Sequence, residues 1–238
     1  VTEKKKIVIG SDIISPYLYK DTDGEFMGID VEIATEALHR MGYEPEFKLI
    51  VWENKNKLLE DGELDCIWGC FSMNGREDKY LWAGPYLYSR QMVAVRMDSE
   101  IQKLKDLTGK MIAVQETSKA EEYFLRSDFE GIPDVSLVYC FSNMDEVFAA
   151  LRKNYVEAIC GHESALISFI NTAPDEYRLL EESFLYSALG VAFDIQYDEE
   201  FVEELVKTLV DMMNDGTTAA IVGKYGLDAE KSLGRGND

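Results

Sequence analysis

The sequence predicts an α/β protein built as two Rossmann-like lobes joined by a two-strand hinge, and three observations lead there. The first 70 residues alternate short apolar strands with helices, a pattern that implies a parallel sheet. The alternation then restarts after Leu104 without obvious sequence repetition. Two further strand segments, Gln91–Arg96 and Leu189–Phe193, stand between the blocks, and no Pro/Gly/Ser-rich linker separates them. A chain that crosses twice makes a hinge, with expected lobes of 1–92 plus 190–238 and of 93–189. A length of 238 residues supports two such lobes.

In the first block, Ile7–Gly10 (IVIG) reads as a buried strand that opens onto Ser11-Asp12 and a turn at Pro16. A turn at Asp21–Gly24 precedes an amphipathic helix, Ile29–Met41. Ile33, Ala34, Ala37, Leu38 and Met41 share one face, Asp30 can cap the N-terminus and Gly42 closes the helix. His39 falls off the apolar face and is expected in solvent. Phe47–Val51 is a second strand ending at Trp52, and Lys55–Leu59 a brief helix before the turn at Asp61-Gly62.

The stretch Leu64–Arg76 (LDCIWGCFSMNGR) organises the rest. Its apolar run, Cys66–Trp68, is short and bounded by Gly62 and Gly69, which marks a buried strand and not a helix. Three strands thus end on candidate ligand groups: Asp12, Trp52 and Gly69/Arg76. Open α/β sheets bind ligands at the carboxyl ends of their strands. Gly69 lets a ligand approach the backbone closely, and Arg76 offers a rigid five-donor fork suited to a carboxylate.

In the second block, Leu104–Lys110 turns into a strand at Met111–Val114, followed by Gln115–Lys119 and a helix over Ala120–Arg126. Val135–Tyr139 is the next strand. Ser142 can cap a helix through Arg152, with Asp145 three residues on at capping-box spacing. Val156–Cys160 is the third strand, ending at Gly161-His162-Glu163. Glu199–Met213 and Thr217–Tyr225 are helical, and the tail Lys231–Asp238 is expected to be disordered.

Composition excludes several classes. A chain with 46% hydrophobic and 29% charged residues is a soluble globular type. No apolar run approaches the ~18 residues of a membrane span. The start, VTEKKK, has no hydrophobic signal core, which fits either a cytoplasmic protein or a mature fragment with its targeting segment removed. A formal charge of −21 argues against nucleic acid and anionic membranes as partners. Cys66, Cys70, Cys140 and Cys160 form no CxxC pair and are expected as free, buried thiols, a Cys140–Cys160 disulfide being the alternative. With only His39 and His162 and no ligand-like spacing, no metal site is expected, and no cofactor. No nucleophile–base pair or phosphate loop is evident, so no catalytic residue is assigned.

The order of GSD, FMGIDVEIATEAL, LDCIWG before MNGRED, WAGPY, LKDLTGKMIAVQ, VEAICGH and GVAF resembles the polar amino-acid class of bacterial solute-binding proteins, over about residues 5–228. The resemblance implies the type II periplasmic-binding-protein architecture, two lobes closing over one amino-acid-like ligand. The protein would be extracytoplasmic, would feed an ABC permease or form part of a transmembrane sensor, and would be a monomer. It further implies that Asp12 meets the ligand's ammonium, Trp52 forms a side wall, the Gly69 carbonyl takes a ligand N–H and Arg76 pairs with the α-carboxylate. In the second lobe Gln115, Ser118 and Lys119 belong to the loop and helix start that also hold the carboxylate.

Three positions depart from the family pattern. Phe71 replaces the usual hydroxyl residue two after the glycine, and Thr117 stands where the loop usually has glycine. His162, followed by Glu163, replaces the second-lobe aspartate expected near the ammonium. His162 either faces the ligand or is structural, and Glu163 either replaces the aspartate or caps a helix. Tyr17, Tyr19 and Phe71 are candidates for the cleft wall, with core packing the alternative. An enzyme on the same scaffold, a dehydratase acting on a small carboxylic acid with His162 and Glu163 moving the proton, is the second functional class.

Overall fold

A computed structural model describes residues 5–126 and 130–235. The chain forms two compact units, residues 1–89 with 187–238 and residues 90–186. It passes from the first to the second within the long strand Leu81–Arg96 and returns within Leu185–Phe193.

In the first unit, strand Lys6–Ser11 is central. It pairs in parallel with Glu44–Leu49 on one side and with Cys66–Ile67 on the other. The end of Leu185–Phe193 then joins antiparallel, with Ala192 opposite Ile67 and Phe193 opposite Cys66. Helix Ile29–Arg40 presents Ile29, Ile33, Ala34, Ala37 and Leu38, all fully buried, while Glu36, His39 and Arg40 line its outer side. His39 is exposed as expected, its Nε2 2.8 Å from Glu44 Oε2.

In the second unit, Met111–Gln115 pairs in parallel with Leu137–Phe141 and with Ala158–His162. Leu81–Arg96 lies antiparallel to Ala158–His162, and Tyr177–Leu179 antiparallel to Leu81–Arg96. The strands read as continuous apolar runs because helices cover both faces of this sheet. Val93, Val95, Ile112, Val114, Ala158 and Cys160 face one core with Leu107, Ala120, Tyr123 and Phe124. The intervening Met92, Ala94, Ala113 and Ile159 face the other with Met144, Val147, Leu151, Leu166 and Phe169. This alternation is the two-residue period of the strand made visible.

Several expected boundaries move. Asp30 does not cap its helix: Gly28 holds that position, and the first-turn N–H groups of Ile29 and Asp30 donate to the carbonyls of Pro16 and Tyr17 at 3.0 and 2.9 Å. Asn143, not Ser142, caps Met144–Arg152, its Oδ1 accepting from Glu146 N–H at 3.0 Å. Ser142 instead bonds the Glu146 carboxylate through its own N–H and hydroxyl. The tail expected as disordered, Lys231–Asp238, begins inside helix Ala229–Ser232, which Asp228 caps and buried Leu233 follows. Residues 236–238 of that tail, and 1–4 at the start, lie outside the described residues. All four cysteines are free thiols; Cys66, Cys70 and Cys160 are buried and Cys140 half-buried. Among the described residues no helix is long and apolar enough to cross a membrane.

Candidate functional site

The candidate residues of the first unit sit where its parallel strands end. Ser11 closes Lys6–Ser11, and buried Asp12 follows it. Cys66–Ile67 continues through Trp68, whose N–H donates to the Gly10 carbonyl at 3.1 Å, and reaches Gly69 directly against Ser11. A Cβ on Gly69 would stand 1.9 Å from Ser11 Oγ. The glycine is therefore required by the neighbouring strand, a different reason from the ligand approach that the sequence suggested. Its effect is to seat the Gly69–Phe71 turn beside Asp12.

Beyond Gly69, Phe71 is buried in an aromatic nest. Trp52, in the 3-10 turn Trp52–Asn54, meets it edge-on at 5.1 Å between centroids. Tyr80 and Trp82 lie 5.5 and 5.3 Å from the same ring. The Arg76 guanidinium carbon stands 4.9 Å from the Phe71 centroid, and its Nη1 donates to the Ser72 carbonyl at 3.0 Å. Trp82 Nε1 donates to the Arg76 carbonyl at 3.0 Å, so backbone and side chain of Arg76 are both held. Guanidinium stacked on an aromatic face is orientated without losing its remaining donors. The aromatic at position 71 thus replaces a hydroxyl with a platform for Arg76.

In the second unit, Gln115 ends its strand, buried, its Nε2 donating to the Ser142 carbonyl at 3.3 Å. Thr117 adopts φ 56°, the left-handed conformation for which glycine is usual, and its N–H donates to Glu121 Oε2 at 2.7 Å. A β-branched residue there costs roughly 1–2 kcal/mol, so the loop keeps its shape against a local penalty. Ser118 caps helix Lys119–Leu125, its hydroxyl oxygen accepting from Glu121 N–H at 3.2 Å. Lys119 is buried, and its ammonium pairs with Glu122 at 2.6 Å.

His162 and Glu163 part company. His162 ends strand Ala158–His162, and the buried Gln91 amide nitrogen lies 3.0 Å from its Nε2 and 3.2 Å from its Nδ1. Glu163 opens helix Glu163–Ile170, and Arg90 grips its carboxylate at both oxygens, Nε to Oε2 at 2.9 Å and Nη2 to Oε1. Its negative charge is matched within the unit, a partner 73 residues away that the sequence reading missed.

The family model of the bacterial extracellular solute-binding proteins, family 3, matches residues 7–228. The chain belongs to that family. Its fold is the α/β architecture of type II periplasmic binding proteins, shared with a solved structure of Tv2483 bound to L-arginine: 27% identity, TM-score 0.85, 93% of this chain and 90% of that one. Among curated relatives, the probable ABC transporter extracellular-binding protein YckB of Bacillus subtilis (strain 168) is 34% identical over 120 residues, 48% of this chain and 42% of its own. The L-cystine-binding protein TcyA of the same organism is 24% identical over 178 residues, 73% of this chain and 63% of its own. The matches thus span under two thirds of those relatives' lengths. The family and these relatives are named as solute-binding and extracellular-binding proteins.

Within this family 3 chain, the structure also brings forward residues that local reading did not single out. Lys55 is buried, its Nζ donating to the Trp52 carbonyl at 3.3 Å and lying 4.8 Å from the Trp52 ring. Tyr80 and Trp82 complete the nest around Phe71. A lysine in a short polar helix, KNKLLE, gives no sequence signal of burial, because its neighbours are charged and amphipathic.

Proposed function

We propose that this chain captures a small α-amino acid outside the cytoplasm, one half-site on each unit, and releases it unchanged. The observation that carries this reading is the first-unit arrangement. Asp12 directly follows strand Lys6–Ser11, and Arg76 lies in the turn beyond the neighbouring strand Cys66–Ile67, its guanidinium carbon 4.9 Å from the centroid of the buried Phe71 ring that packs on Trp52. Opposite charges beside a dry wall complement a zwitterion. Gln115, Ser118, Lys119 and His162 form the second half-site in this reading. Similarity to a protein named for L-cystine and to one solved with L-arginine bound supports a site built for the shared α-amino and α-carboxylate groups. The partner is then an ABC permease or a transmembrane receptor, the chain acting as a monomer in the periplasm or tethered at the cell surface. Pairing of Glu163 with Arg90 leaves that carboxylate poorly suited as the proton acceptor a dehydratase would need, which weighs against the enzymatic alternative.

Isothermal titration against the L-amino acids, L-cystine included, tests the reading. At least one should bind, and Arg76→Ala should weaken it by on the order of 2–4 kcal/mol, about 30- to 1000-fold. An unchanged affinity would remove Arg76 from the site. Conversion of any candidate to a product would overturn the binding role.

A further inference from the structure

Asp30 is a carboxylate with 1% exposure, in the first turn of helix Ile29–Arg40. The usual task of an acid there, capping, is taken over by the carbonyls of Pro16 and Tyr17. Gly28 makes that docking possible: a Cβ on it would stand 2.2 Å from the Tyr17 carbonyl oxygen, and its φ of 128° is unsuited to side chains. The Asp30 side chain is thereby directed at two donors far along the chain. Its Oδ2 accepts from the Cys70 N–H at 2.7 Å, and its Oδ1 accepts from the Tyr86 hydroxyl at 2.8 Å.

Cys70 is the residue between Gly69 and Phe71, and it adopts φ 48°, left-handed for a residue with a Cβ. Such a peptide persists only where its surroundings hold it. On its far side the turn is anchored by Phe71, whose carbonyl accepts from Gly190 N–H at 3.0 Å. On its near side the anchor is Asp30. We propose that Asp30 is a positioning residue of the binding site, fixing the left-handed Cys70 peptide and through it the Gly69 carbonyl and the Phe71 platform under Arg76. The functional part of this inference rests on the amino-acid-binding reading above; the structural part does not.

Chemistry explains why an acid serves here. An ionised carboxylate offers two acceptors and no donor, so it satisfies both the N–H and the O–H. A leucine would orphan both. An asparagine satisfies the N–H with a weaker, neutral bond and must turn the tyrosine hydroxyl around. The titratable and charged groups near this carboxylate are the Cys70 thiol, the Tyr86 and Tyr17 hydroxyls and, acting on Cys70, Asp12. Burial lifts Cys70 and Tyr86 well above their ordinary values, while burial carries Asp30 up to about 7 against the pull of its two hydrogen bonds. Asp30 is therefore poised to change charge near neutrality, whereas the Cys70 thiol and the Tyr86 hydroxyl stay protonated there.

The test has a ligand-free arm and a binding arm. In two-dimensional amide NMR of the ligand-free protein, the Cys70 amide proton should move downfield as Asp30 ionises, with the same midpoint as the Asp30 carboxyl carbon. Asp30→Asn should abolish that titration, whereas Tyr86→Phe should keep it with a shifted midpoint. In the second arm, calorimetry with L-arginine and L-cystine on folded proteins should show Asp30→Asn binding about tenfold more weakly and Tyr86→Phe severalfold more weakly. A Cys70 amide that ignores Asp30 ionisation, or full affinity in Asp30→Asn, would overturn the proposal. Should neither amino acid bind the wild type, the binding reading suffers and the amide titration alone decides whether Asp30 holds the turn.

Discussion

At the scale of single residues, Asp30 shows how a site-supporting group is bought at the expense of stability. Its ordinary value is 3.8 and burial raises it to about 7. Between those values the native state holds a proton that the unfolded chain has released, so stability falls as pH rises across that window. The penalty is absent below about pH 4 and complete above about pH 7, where it reaches on the order of 4 kcal/mol. Asp30→Asn carries no such term. Its stability relative to wild type should therefore improve by roughly 2–3 kcal/mol between pH 5 and pH 8, as read by urea denaturation of both proteins. A difference that stays flat with pH would mean that the carboxyl is solvated in the native protein. The same scale shows what was legible at the site. Asp12, Trp52 and Arg76 stand out in sequence because residue type and position after a strand are local. Sequence alone suggests a helix cap for Asp30, because its true donors, Cys70 and Tyr86, lie 40 and 56 residues away.

At the scale of elements, helix Glu199–Asn214 illustrates how local signals sum. Phe201, Val202, Leu205, Leu209 and Met212 form its buried stripe, at spacings that follow the helical turn. Asp198 accepts from the N–H groups of Glu200 and Phe201 at 3.1 and 3.4 Å, and Glu199 and Glu200 add negative charge to the first turn. Acids at this end favour the helix dipole. Asp198→Ala should cost about 1 kcal/mol, visible as a lower urea midpoint with an unchanged slope. A neutral result would show that the stripe alone holds the helix. The cap of Met144–Arg152 marks the limit of such reading. Ser142 and Asn143 are both capping types, and the pairing of Glu116 N–H with the Phe141 carbonyl sets where the strand ends.

At the scale of the whole molecule, the chain crosses between its two units twice, within Leu81–Arg96 and within Leu185–Phe193. Two strands can bend together while limiting twist, the condition for a hinge. If one ligand engages half-sites on both units, binding favours whichever arrangement presents both at once. Small-angle scattering should then show a smaller radius of gyration when the bound amino acid identified by titration is added to saturation. An unchanged radius would argue against ligand-driven closure.

The sequence by itself determined the strand–helix alternation, the parallel pairing around Lys6–Ser11 and around Met111–Gln115, and the amphipathic faces of the longer helices. These follow from hydrophobic periodicity, which a few neighbouring residues express whatever the rest of the chain does. Only tertiary structure decided the distant polar partners, Glu163 to Arg90 and Asp30 to Cys70 and Tyr86, and the close approach of Gly69 to Ser11. Apolar groups accept any apolar neighbour, so their burial is readable from pattern. A buried donor or acceptor needs one partner at one distance, and strand register and helix docking choose among many candidates spread along the chain.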